Sequence, residues 1–288
     1  MTGTLEVAIA SKAQLGEGPT WDPAAGRLLW LDILAKEVHR FDPSTGRDEL
    51  FTTSQHVGAV KPRAGGGVVV NLRDGIGLYD PDGSFRWLTS LAVEGCRGND
   101  AAVDAAGTLW AGTMRYDEGP GGARLYRVAP DGGVVVALDH VTVSNGLGWS
   151  PDGHRMYYVD SPTRRVDVFD VDPDSGMARE RRPLVDLHGL DGFPDGLTVD
   201  ADGCVWVAAW DGGAVRRWTP AGELDRTVEV PARRTTACAF GGADLADLYI
   251  TTATTGLDPD QLAEQPLAGS VFVLPGAGRG LPGHAFAG

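Results

Sequence analysis

Four residues able to offer side-chain oxygen, Glu17, Asn99, Asn145 and Asp195, stand at matching places in a stretch that recurs along the chain. Its clearest copy is SNGLGWSPDG, Ser144 to Gly153: a polar residue, a small one, two spacers, a large apolar residue and a Gly-bearing turn. EGPTWDPAAG from Glu17, NDAAVDAAG from Asn99 and DGLTVDADG from Asp195 repeat that order, and looser copies begin at Val57 and Thr236. A repeat position that only supports structure needs no polar group, and buried oxygen atoms are costly without a partner. A divalent cation would satisfy them. Glu17 and Asp195 would balance its two charges, Asn145 would add a neutral oxygen, and water or substrate would complete the shell. Oxygen donors favour Ca²⁺, Mg²⁺ or Mn²⁺, with Zn²⁺ and Fe²⁺ left open. The bland alternative is that each residue hydrogen-bonds the turn of its own repeat, as Asn and Asp often do.

For four such residues to converge, the elements carrying them must surround one axis. The copies recur every 40 to 50 residues, the spacing of propeller blades rather than the shorter turns of most β-solenoids. Within each copy, short runs of β-branched and aromatic residues (RLLWLDI, HRMYYVDS, CVWVAAWDGG) alternate with Gly, Asp and Pro, the grammar of an antiparallel meander. No helix of ten residues is indicated; Pro259 to Glu264 could form a turn. The chain therefore reads as all-β: one six-bladed β-propeller domain over 1–288, with four antiparallel strands per blade. The first strand of every blade would line the central channel, gathering the repeated positions at one end of it. A spare strand, Leu5 to Ile9, is expected to close the ring as the outer strand of the last blade, beside Ser270 to Leu274.

Composition narrows the function. A net charge of −14 leaves no basic surface for a nucleic acid. No leader-like N-terminus and no run of eighteen apolar residues is present, so a cytoplasmic protein without a membrane partner is expected, monomeric by default. Cys96, Cys204 and Cys238 lack metal or disulfide spacing and read as small buried residues. The six histidines lack HExxH spacing and read mostly as solvated or turn residues, although His56, beside the second anchor, could touch a pocket. No GxSxG nucleophile elbow occurs. GAGRG, Gly276 to Gly280, follows a terminal strand and opens no helix, so it reads as a loop, and Trp210 reads as blade core more than as a sugar platform.

The stretches LGEGPTWD, RGNDAAVDAAGTLWAGTM, SNGLGWSPDG, PDGLTVDADGCVWVAAWDGG, TTACAFGG, GLDPDQLAEQPLAGSVF and AFAG resemble, in their order and spacing, the regucalcin and sugar-lactonase family, the gluconolactonase-like six-bladed propellers. The resemblance implies one divalent metal, Ca²⁺ foremost, held by Glu17, Asn145 and Asp195. It places Asn99 at or near the metal, sets Arg97 on the substrate, and aligns Asp117 with a carboxylate that contacts sugar hydroxyls. The loop from Tyr116 to Gly122 departs from the family pattern, being shorter and richer in Gly, which bears on substrate choice.

The implied activity is hydrolysis of an aldonolactone such as gluconolactone to the aldonic acid. Asp195 would take a proton from the attacking water and return it to the departing ring oxygen, with water activated directly by the cation as the competing route. A hydrolase of a non-sugar lactone or phosphoester on the same fold, or a non-catalytic calcium-binding protein, are the alternatives.

Overall fold

The computed structural model describes residues 3–172 and 175–288; two residues of the outer turn expected near Asp172 lie outside that range. Within it, 24 strands form six four-stranded antiparallel sheets arranged as a ring of blades, a six-bladed β-propeller. Blade one is Gly16–Asp22, Arg27–Asp32, Glu37–Asp42 and Arg47–Thr52. The later blades open on the channel strands Val57–Pro62, Cys96–Val103, Ser144–Trp149, Phe193–Val199 and Thr235–Gly241. Each channel strand lies against the next, and the sixth lies against the first.

Burial follows distance from the axis. The second strands, such as Val205–Trp210 and Leu109–Arg115, are packed on both faces and buried almost throughout, which is why they read as continuous apolar runs. The outer strands, such as Phe85–Ser90 and Val134–Val141, are mostly exposed. Between blades the sheets share cores: Trp206 meets Phe240 edge to face at 5.7 Å, joined by Leu248, Ile250 and Phe272. Fully burying side chains of this size is worth about 1.5–3 kcal/mol each.

Two blades repeat one local device. Asp104 and Asp200 each open a turn whose backbone N–H groups donate to the carboxylate. Six residues on, Trp110 and Trp206 donate their indole N–H to the same carboxylates, at 2.9 and 2.8 Å. Arg217 adds an ion pair to Asp200 at 2.8 Å and lies over the Trp206 ring.

The ring closes as the sequence indicates. Glu6–Ile9 pairs with Val271–Leu274 as the outer strand of blade six, Val7 opposite Phe272. A second tie comes from the C-terminal residues. After Leu274 the chain, with Gly276 to Gly280 in a loop, bridges to Asp200 of blade five through Gly280 and then to Arg63 of blade two through Phe286. Phe286 is fully buried in the core shared by blades two and three.

Pro259–Glu264 is a single-turn helix rather than a simple turn, held by a capping box between Asp258 and Gln261. Ser161–Thr163 adds a short 3₁₀ turn with no strong sequence signal. The three cysteines are free and buried. Trp210 is only half-buried and carries the Arg234 guanidinium 4.6 Å above its ring, so the core role falls to Trp206. His39 is also buried, stacked on Trp30 at 3.8 Å.

Candidate metal centre

The four oxygen-bearing anchors owe their orientation to an irregularity that all six channel strands share. Pairing with the second strand shifts register between Glu17 and Thr20, between Gly98 and Ala101, between Ser144 and Leu147, and between Pro194 and Leu197. The same shift occurs after Val57 and after Thr235 in the two looser copies. A bulge places extra residues outside the ladder and re-aims their side chains. Small residues beside the anchors then let neighbouring strands approach. A Cβ on Gly146 would stand 2.3 Å from the Leu197 nitrogen, and one on Gly196 would stand 2.4 Å from the Ala237 Cβ.

Glu17, Arg97, Asn99, Asn145 and Asp195 are each only 6–8% exposed although all are polar, so the protein must satisfy them internally. Much of the network runs across blades. Arg97 donates to Asn99 Oδ1 at 2.7 Å, and Asn99 Nδ2 donates to the Ser144 carbonyl at 2.8 Å and to Asn145 Oδ1 at 3.3 Å. Asn145 Nδ2 in turn donates to Ser161 Oγ at 2.9 Å. That last bond fixes the amide so that its oxygen remains on the side of Asn99. The two looser anchors play supporting parts: Val57 is packed in the core, and Thr236 Oγ1 donates to the Gly16 carbonyl at 2.6 Å, tying blade six to blade one.

The carboxylates are electrostatically frustrated. Burial, then the negative charge of Asp100, pushes Glu17 up to about 8, against the opposing effects of the Gly18 N–H, Arg97 and Lys61. Burial followed by the charges of Glu17 and Asp100 raises Asp195 well above the ordinary carboxylate range. Asp195 Oδ1 is buried and has no hydrogen-bond partner among the described residues. One oxygen of Glu17 accepts from Gly18 N–H at 2.9 Å. An orphaned carboxylate oxygen, a second buried carboxylate and an amide oxygen held in place by its neighbours form a donor set that fits a hard divalent cation. Among the described residues no three His, Cys, Asp or Glu side chains gather to hold a metal, so this site depends on the amide of Asn145.

Two charged residues of the cluster were not anticipated from the sequence. Asp100 and Lys61 act on one another and on Glu17, and Lys61 Nζ donates to Thr20 Oγ1 at 2.8 Å. Withdrawal from solvent raises Asp100 and lowers Lys61. Ser161 was likewise missed.

Asp117 stands apart from this group. Its carboxylate is closed on Arg115 by two bonds of 2.7 and 2.6 Å and accepts from Gly119 N–H, and Arg115 holds it well below the usual carboxylate range. Its neighbour Glu118 is a residue of that loop whose charge bears on Arg97. His56 joins Tyr116, Nδ1 to Oη at 2.7 Å.

Comparison with known proteins agrees with this architecture. The sequence pattern described as the SMP-30/Gluconolactonase/LRE-like region matches residues 15–254. Regucalcin of Danio rerio is 39% identical over 99% of this chain and 98% of its own length. YvrE of Bacillus subtilis (strain 168), which is named for sugar lactone lactonase, is 38% identical over 91% of each chain. The crystal structure of regucalcin from Agrobacterium tumefaciens str. C58, described as a calcium-binding protein, superposes with a TM-score of 0.92 at 31% identity, covering 99% of this chain and 97% of that one. No helix among the described residues is long and apolar enough to cross a membrane.

Proposed function

The chain belongs to the SMP-30/gluconolactonase/LRE-like family, and from that premise we propose that it hydrolyses a sugar lactone, an aldonolactone such as gluconolactone, with the help of one divalent cation. One observation carries the reading. Glu17, Asn145 and Asp195 belong to three different blades, and they present two buried carboxylates, one of them with an orphaned oxygen, beside an amide oxygen. Such a set is expensive for a merely structural channel. It is well suited to a cation that leaves room for substrate.

Glu17, Asn145 and Asp195 would hold the metal, with Ca²⁺ the first candidate because a relative is described as binding calcium. When bound, such an ion polarises a carbonyl and stabilises the negative charge that develops on its oxygen. The residues supply the rest. Arg97, whose charge is partly offset by Glu17 and Asp195, and Asn99, held by Arg97 and Ser144, would grip the ring carbonyl and hydroxyl oxygens and fix their orientation. Asp195 would accept a proton from water as the water oxygen attacks the carbonyl carbon. It would return that proton to the ring oxygen as the ester C–O bond breaks, giving the open hydroxy acid. Asp117 would approach sugar hydroxyls only if its carboxylate left Arg115.

Acid release from a panel of lactones, before and after chelation and metal add-back, tests the reading. Asp195→Asn should keep the fold, by circular dichroism, and lose about 10²–10⁴-fold in kcat, the usual worth of a positioned acid–base group. Full turnover by that variant would remove Asp195 from the chemistry. A protein that binds Ca²⁺ yet opens no lactone would instead support a non-catalytic calcium site, the reading favoured by the description of the Agrobacterium relative.

A further inference from the structure

A recess lies on the same face of the propeller as the anchors. Within an antiparallel blade the start of the first strand, the turn between the second and third, and the end of the fourth share one face. Glu17 and Asn145 open first strands. Lys36 lies in the second-to-third turn of blade one, Arg73 and Tyr116 lie in the same turn of blades two and three, and Ser54 to His56 join blade one to blade two. Together with Gln55 these residues line a hollow of about 280 Å³.

Three cations bear on this hollow. The chain carries −14, yet the charges that bear on His56 are Arg97, Lys36 and Arg73, all cationic. Burial and those three charges hold His56 below its ordinary range. Arg73 is paired with Asp74, which Gln55 also holds, so its charge is largely offset. Lys36 is exposed and has no carboxylate within ion-pair distance among the described residues. His56 spends Nδ1 on Tyr116, and Nε2 has no protein partner among the described residues. Arg97 connects the hollow with the carboxylate centre, since its charge acts on Glu17 and Asp195 as well as on His56.

We propose that the hollow lined by Lys36, Ser54, His56, Arg73 and Tyr116 is a subsite for an anionic substituent, phosphate or carboxylate, carried by the substrate at the end away from its lactone carbonyl. Lys36 supplies unpaired positive charge, and Ser54, His56 and Tyr116 supply neutral hydrogen-bonding groups around it. The lactone carbonyl would sit among Glu17, Asn145 and Asp195 while the anion reaches outward past Arg97. This deepens the lactonase reading and rests on it.

The test compares kcat/KM for glucono-1,5-lactone, its 6-phosphate and glucaro-1,4-lactone, using the metal-loaded full chain. At least one anionic lactone should exceed the neutral one by about tenfold or more, and that ratio should shrink as salt screens the site. Lys36→Gln should lower the ratio several-fold and Lys36→Glu further, with melting temperature confirming that both variants fold. Which anion is preferred identifies its chemistry. Parity of both anions with the neutral lactone, or a ratio indifferent to Lys36→Glu, overturns the proposal. If no lactone is opened the lactonase reading falls by itself, and titration calorimetry then judges the recess. There, 6-phosphogluconate should bind about tenfold more tightly than gluconate and lose that advantage in Lys36→Glu, whereas equal affinities would sink the subsite.

Discussion

Glu17 and Asp195 keep their protons beyond the ordinary carboxylate range because burial and neighbouring negative charge oppose ionisation, so a cation held by them would be taken up with release of protons. In the unfolded chain such acids ionise near 4. In the folded, cation-free protein Glu17 holds its proton up to about 8. Its contribution to stability is therefore present in full below the unfolded value and is lost as pH rises through 8. A cation bound as proposed would remove that loss by pairing with the charged form. The gap in melting temperature between metal-loaded and chelated protein should then be small at pH 5 and widen toward pH 8, as followed by differential scanning fluorimetry. A gap that stays constant or narrows with pH would mean that the ion binds elsewhere. The oxygen-bearing anchors were legible because they recur at one repeat position. Asp100 and Lys61 were not, since Asp100 follows Asn99 directly and simple alternation would turn it from the channel. The bulge between Gly98 and Ala101 suspends that alternation, and no pattern in one sequence announces it. Ser161 was hidden for another reason: it lies outside the repeat, in a three-residue turn.

Among the elements, the turn opened by Asp200 holds blade five together. Its carboxylate receives the Cys204 N–H, the Trp206 indole and the Arg217 guanidinium, and it is almost completely buried. Asp200→Ala would strand a buried indole donor and leave Arg217 with its two outer partners, Asp202 and Asp225. A loss of about 2–4 kcal/mol is expected from the unsatisfied groups, read as a lower melting temperature with the blade fold retained. A loss below about 0.5 kcal/mol would show that water replaces the carboxylate. This device was half visible beforehand: DAAGTLW and DADGCVW share their Asp-to-Trp spacing, so the turn and the strand after it were readable. What spacing could not reveal is that the tryptophan points back to the aspartate. That depends on the arginine of the third strand and on packing against the next blade.

At the scale of the whole molecule, the ring is fastened in two places: by Glu6–Ile9 in blade six, and by Phe286 between blades two and three. The first fastening was legible as a spare strand before the first repeat. The second was not, because the residues after Leu274 have neither strand pattern nor apolar run, and Phe286 finds its pocket only once the blades stand side by side. Removing residues 1–9 should expose the edge of Val271–Leu274, lower the melting temperature and promote association in size-exclusion chromatography. An unchanged melting temperature would show that the first fastening is dispensable. The composite sixth blade also has a consequence in time. Its outer strand is synthesised long before its other three, so at about 5–20 residues per second the edge of Glu6–Ile9 waits roughly 13–53 s for its partner. During that interval a nascent chain carries an unpaired strand, and its exposure to aggregation is set by the pace of synthesis as well as by sequence.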